Sequence, residues 1–456
     1  MKKLIVLLMF VWMLLGLGIT VNAQTDWNSQ LHLDWSSFDI PLKLELKDST
    51  FEAFSDPKAV IRTLGVWKGN LARLTMKKFK AGSLLRVFRG KVYRQVHDTA
   101  WVEGALATPF QNYNLKGYCT DSILDWELSN GNHKVKGSLK GHRSEGKPIP
   151  KDYSNLVNKL LEISEEKLYN PKLLTRSKWK GFKRKIRKVG SCAKDDVELL
   201  VRFFILAKKL PFSHYAMVKK SPKTIDSTVV KSNKYLEQKE LADSIAYLKV
   251  KSFSGTKEEV ILYFDTLLKK NYTHLIIDLR DNSGGSIESG MQLVRYLVDA
   301  SYYGGVFLTQ RWFNQGKEVP EVSEYPTLTQ FSDASFDLII KGIHKQEGLC
   351  LRVDPAKQTY KGQLFILANK NTASTCESII HCLKQYGLAT IVGETTAGAM
   401  LNGELFDLID GFNVFIPTAD YYAADGYRID KKGVKPNYKV KAEKALEYTL
   451  KLIQHF

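Results

Sequence analysis

Ser374 is the residue whose setting could support nucleophilic chemistry. It stands in Asn371-Thr-Ala-Ser-Thr-Cys-Glu377, between an apolar run, Leu364 to Ala368, and a segment with apolar positions at Ile379, Ile380 and Leu383. The run predicts a buried strand and the spacing predicts a helix. A serine at that strand-to-helix turn faces the unpaired N–H groups and positive end of the helix, which favour a developing oxyanion. A free hydroxyl is a weak nucleophile and needs a neighbouring base, which imidazole supplies near neutral pH. The same Ser374-x-x-Glu377 spacing is also a capping box, which starts a helix without any chemistry. The motif alone leaves both readings open.

The elements around it read in order. After a second apolar pair, Ile391-Val392, comes Gly393-Glu-Thr-Thr-Ala-Gly398. Upstream, Ile245 to Val250 reads as a strand, Lys257 to Leu268 as a helix, and Leu275 to Leu279 as a strand. The last leads into Arg280-Asp-Asn-Ser-Gly-Gly285 and a helix reaching about Val298. Strands alternating with helices imply an α/β core, assigned to residues 221–441, with a C-terminal helix at 442–456. Tyr302 to Lys361 shows no clear period and reads as an insertion. Residues 151–220 read as a helical domain of three helices. They are marked by Leu156, Leu160 and Leu161, by Trp179, Phe182, Ile186 and Val189, and by Leu199, Leu200, Phe203 and Phe204. Residues 24–150 alternate with period two, as in Pro41 to Lys47 and Ile123 to Leu128, and read as a β-sandwich or small barrel. Trp67, Trp101 and Trp126 are assigned there to core or seam.

Residues 1–23 carry a basic start, an apolar run from Leu4 to Ile19 and small residues before Gln24, the pattern of a signal peptide cut after Ala23. The chain is therefore expected to be exported, periplasmic or secreted. Its net charge of +19 then points to anionic envelope surfaces or acidic substrates rather than nucleic acid. The basic residues crowding Lys178 to Lys188 are a solvated helix face or a patch for such a surface. Five cysteines at irregular spacing imply no metal and no disulfide framework.

With these motifs in order, the chain resembles the S41 serine peptidases, which include the C-terminal processing proteases and the tricorn core protease. The resemblance rests on Ile276 to Gly285, Asn371 to Glu377, Val392 to Gly398 and Gly433-Val-Lys-Pro-Asn437. It implies a crotonase/ClpP-like core, no cofactor, and Ser374 as nucleophile. The processing branch activates its serine with a Lys just after the Thr-x-Gly turn, where this chain has Ala399. The tricorn-like branch uses a His at the end of the helical segment, which corresponds to His214 in Phe212-Ser-His-Tyr-Ala216. Its acid, three residues before the Gly of Gly-Val-x-Pro, corresponds to Asp430. The resemblance places the oxyanion hole at the N–H of Thr375 and of Gly284 or Gly285. His381 is expected to be a surface or packing residue. Most relatives carry a PDZ domain after the helical segment, but only about thirty residues separate His214 from Ile245, too few for one.

The reading is an exported serine endopeptidase acting on peptides or unfolded proteins. The alternatives are a non-catalytic binder of an apolar ligand or peptide on the same core, and an esterase-like hydrolase. Oligomeric state is not legible.

Overall fold

The computed structural model describes residues 25–33, 36–47, 49–54, 87–107, 112–129, 135–144, 151–193, 195–219, 235–332 and 336–455. Residues 1–23, expected as a signal peptide, and Trp67 lie outside them.

The N-terminal strands are β1 (Thr25–Leu33), β2 (Ser36–Lys47), β3 (Thr50–Phe54), β4 (Val87–Val96), β5 (Thr99–Ala107), β6 (Asn112–Cys119), β7 (Ile123–Ser129) and β8 (Val135–Arg143). Each pairs antiparallel with the next, and β1 pairs with β8 from Trp27↔Arg143 to Leu33↔Gly137. The result is a closed barrel, the second of the two architectures left open by the sequence. Period-two alternation sends Trp27, Phe51, Phe88 and Trp126 inward. The Phe51 and Phe88 rings pack 5.1 and 5.5 Å from Trp126. Trp101 is only half-buried.

Three helices follow: α1 (Ser154–Lys167), α2 (Ser177–Gly190) and α3 (Asp196–Ala207). Their apolar stripes meet in one core with Phe212 and Tyr215. The buried Asp196 carboxylate accepts from the Tyr153 hydroxyl and pairs with Lys219, and Lys219 also reaches Asp39 of the barrel.

The α/β core has two sheets. The first takes β10 (Leu236–Ala242), β11 (Ile245–Val250), β12 (His274–Asp278), β16 (Gln363–Ala368), β17 (Thr390–Gly393) and β20 (Tyr438–Lys439) in that spatial order. All its pairings are parallel except β10 with β11. The second takes β14 (Thr329–Phe331), β15 (Gly348–Val353), β13 (Tyr302–Thr309), β19 (Phe412–Ala423) and β18 (Leu401–Asp407), with β9 (Ala216–Lys219) also pairing β19. Residues 302–361, expected as an insertion, instead build this second sheet through β13, β14 and β15. Helices α4 (Lys257–Leu267), α5 (Ile287–Arg295), α7 (Phe336–Lys345) and α8 (Thr375–Gln385) surround the core, and short α6 (Gln310–Asn314) follows β13. Phe264, Leu293, Ile379, Ile380 and Leu383 bury together with strand residues of both sheets. Helix α9 (Ala445–His455) covers the other face of the first sheet through Ala445 and Ile453.

Candidate active site

Three turns leave the carboxyl ends of the adjacent parallel strands β12, β16 and β17, where open α/β sheets form their sites. β12 ends at Asp278 before Arg280–Gly285, β16 at Ala368 before Asn369–Ser374, and β17 at Gly393 before Glu394–Ala399. The first two turns are tied side chain to side chain. Asp281 Oδ1 accepts from Asn369 Nδ2 at 2.9 Å and Asn371 Nδ2 at 2.8 Å. Thr372 Oγ1 donates to the Leu279 carbonyl at 2.8 Å.

Ser374 opens α8 with φ 58° and ψ −126°. His214 (φ 55°), Asp281 (φ 64°) and Lys431 (φ 63°) share this left-handed region. Holding a non-glycine residue there costs on the order of 1–3 kcal/mol, and such strain concentrates at functional sites.

The fully buried Glu377 carboxylate supplies much of what offsets that strain. Its Oε2 accepts the Ser374 N–H at 3.1 Å and the Ala399 N–H at 2.7 Å. Its Oε1 accepts the Gly398 N–H at 2.7 Å and the Thr396 hydroxyl at 2.5 Å. The Ser374 N–H also donates to the Ala399 carbonyl at 3.0 Å. Burial raises the Glu377 carboxyl above its ordinary value, and those four donors oppose the rise. The capping-box glutamate thus anchors the Thr396–Ala399 turn against the serine.

That turn in turn holds the Asp430 segment. The Lys431 N–H donates to the Gly398 carbonyl at 2.7 Å, and the preceding Asp430 is fully buried. Asp430 Oδ2 accepts from the Ser213 N–H and from Arg428 Nη2, both at 3.2 Å. Its Oδ1 has no hydrogen-bond partner among the described residues. Arg428 also forks onto Asp420, whose carboxyl burial pushes up to about 6, and reaches the Tyr169 hydroxyl at 3.0 Å.

One residue after that backbone bond, Ser213 Oγ meets His214 Nδ1 at 2.7 Å. Burial lowers the His214 pKa from its ordinary 6.5; the Asp430 charge opposes this and the Lys431 charge adds to it. Among the described residues the imidazole is hydrogen-bonded to Ser213, with no bond to Ser374 or Asp430. Such bonds are commonly long without substrate and tighten when it binds. The three residues named from sequence are therefore linked through two backbone bonds, Ser374 to Ala399 and Lys431 to Gly398, and through the Ser213 N–H on the Asp430 carboxylate.

Gly284 lies against the serine. A methyl group built on it would sit 2.6 Å from Ser374 Cβ, and its φ is 98°. Its own N–H is committed to Asn282 Oδ1 at 2.8 Å. The N–H groups of Gly285 and Thr375 donate no such bond among the described residues. Thr375 Oγ1 donates to the Gly285 carbonyl at 2.8 Å and fixes the two against each other. Of the expected donors, Gly285 and Thr375 are thus the free pair.

His381 stacks on Tyr427, ring centroids 5.1 Å apart, with Nε2 3.0 Å from Asp425. It is a packing residue. Sequence reasoning assigned no role to Ser213 or Arg428, and gave Glu377 only its capping-box bond to the Ser374 N–H, not its bonds to the Thr396–Ala399 turn. Adjacency to His214 and the Ser-x-x-Glu spacing were the available signals for the first and last.

A serine at a helix N-terminus, with a buried acid and a histidine tied to it, is the arrangement of a serine-hydrolase core. Residues 244–440, less than half of the chain, match the profile of peptidase family S41. Ser374 and Asp430 fall inside the match and His214 outside it. The chain is 25% identical over 242 residues to a carboxyl-terminal-processing protease of Picosynechococcus, covering 51% of this chain and 50% of that protein. It is 27% identical over 210 residues to the carboxy-terminal processing protease CtpA of Bacillus subtilis, covering 46% and 37%. The solved photosystem II D1 C-terminal processing protease is similar over 64% of this chain and 94% of its own, with 15% identity and a TM-score of 0.42. The chain matches half the length, or less, of these curated relatives.

Proposed function

We propose that this protein is an exported serine endopeptidase of tricorn-like type, cleaving short or unfolded peptides through an acyl-enzyme on Ser374. The observation that carries this is the continuous linkage from Ser374 through the Gly398–Ala399 turn to Asp430, Ser213 and His214. The crotonase-like assignment of the core is supported by the serine turn at the carboxyl ends of β12, β16 and β17.

His214 takes the Ser374 proton as the hydroxyl attacks the peptide carbonyl, and later gives it to the leaving amine. Asp430 acts through Ser213: its Oδ2 holds the Ser213 backbone, and the Ser213 hydroxyl holds Nδ1 of the imidazole. The Asp430 charge, 0% exposed, stabilises the imidazolium that forms. The Gly285 and Thr375 N–H groups receive the oxyanion, where losing one donor typically costs about 10²–10³ in rate. Water then attacks the acyl-enzyme with His214 as base.

The exposed cations Lys178, Lys180, Arg184, Lys185, Arg187 and Lys188 of α2 support peripheral contact with an anionic envelope surface. Selection of substrate C-termini is not part of the proposal.

The test compares the full chain with Ser374→Ala and His214→Ala on an unfolded protein, reading fragments by mass spectrometry. Cleavage by the wild type alone supports the reading. Equal cleavage by wild type and Ser374→Ala contradicts it.

A further inference from the structure

The sheet face that touches His214 is apolar and open. Ala216 of β9 pairs with Phe415 of β19, and Phe415 pairs with Leu405 of β18. Directly paired residues share a sheet face, so these three form a row. The opposite face is already occupied, because Met217, Val414 and Ile416 are buried against the helices. On the open face Leu405 is 56% exposed, Ala216 is exposed and Phe415 is half-buried. The Phe415 ring centroid lies 6.0 Å from that of His214.

Gly403 makes room for that ring. A methyl group built there would come within 2.5 Å of Phe415 Cε1, so only glycine lets the ring lie across the β18 backbone. A glycine inside a strand weakens it, and often marks a close approach of this kind. Among the described residues β18 is the edge of its sheet. It begins at Leu401, two residues after the Ala399 whose carbonyl accepts the Ser374 N–H. Strand β18 therefore leaves the Ser374 turn at Leu401, the row crosses it four residues further on at Leu405, and the row passes His214 at Phe415.

The geometry points to a substrate subsite: the Ala216–Phe415–Leu405 row receives an apolar side chain adjoining the bond that Ser374 attacks. This rests on the peptidase reading and names the kind of residue the site selects. An extended peptide laid along a strand edge directs alternate side chains to one face. An aliphatic or aromatic side chain on this row leaves water together with Leu405 and Phe415, whereas a Lys or Arg side chain gains nothing there. A hydrophobic subsite discriminates by about tenfold or more for each apolar group it accommodates.

The test is the cleavage-site profile of one unfolded protein for wild type, Leu405→Asp and Phe415→Ala. Wild type is expected to favour sites with an apolar residue next to the cut. Leu405→Asp, a change at a solvent-exposed position, should lower those sites about tenfold relative to sites flanked by Lys or Arg, and Phe415→Ala should lower them as well. A wild type that cleaves without apolar preference, or variants that keep its profile, would overturn the subsite while leaving the peptidase reading intact. A wild type that cleaves nothing would overturn both.

Discussion

Glu377 and Ser374 are bonded in both directions. Glu377 Oε2 accepts the Ser374 N–H at 3.1 Å, and the Glu377 N–H donates to the Ser374 carbonyl at 2.7 Å. Glu377→Gln keeps the shape but turns an amide NH₂ toward two of the four N–H and O–H donors the carboxylate now accepts. Each buried donor left unpaired costs about 1–3 kcal/mol. A shift of the serine by about 1 Å can cost on the order of 100-fold in rate. Expected outcomes are a lower denaturation midpoint in urea and a kcat about 100-fold below wild type, both measured on the same preparation.

The pH profile follows from His214. In the proposed mechanism the neutral imidazole is the base, and burial lowers its pKa from 6.5, so the neutral form persists further into acid. The acid limb of kcat/KM should therefore lie below 6.5. Asp430 pulls the value up and Lys431 pushes it down. Asp430→Asn should move the limb further into acid while lowering the rate, and Lys431→Met should move it toward neutral pH. Titrating the three proteins against one peptide checks both signs.

Gly284 tests the packing of the nucleophile turn. Alanine there would meet Ser374 Cβ at 2.6 Å and would have to hold φ 98°. Gly284→Ala should lower kcat by about 100-fold or more while the far-ultraviolet circular dichroism stays that of the wild type. Undiminished turnover would show that the serine does not work from its observed position.

The parts of this site that sequence could show are those written in local order. The Leu364–Ala368 strand, the turn and helix α8 lie in one stretch of chain, and Ile379, Ile380 and Leu383 kept the helical spacing. His214 and Asp430 were reached through motif resemblance, since nothing local sets them apart from other histidines and turn aspartates. Ser213 was passed over because its role depends on the left-handed backbone at His214 and on Asp430, 217 residues away. Residues 302–361 resisted reading because β13 is buried along most of its length and its pairings break register at Tyr303/Gly305, which erases the period-two signal. Barrel and sandwich could not be separated, since closure depends on the long-range pairing of β1 with β8.

The most direct test of the central claim is covalent labelling with a fluorophosphonate, followed by intact-mass measurement and peptide mapping. The account expects one adduct per chain, on Ser374, forming about 10²–10⁴-fold more slowly in His214→Ala. No adduct, an adduct on another residue, or an unchanged labelling rate in His214→Ala would contradict it.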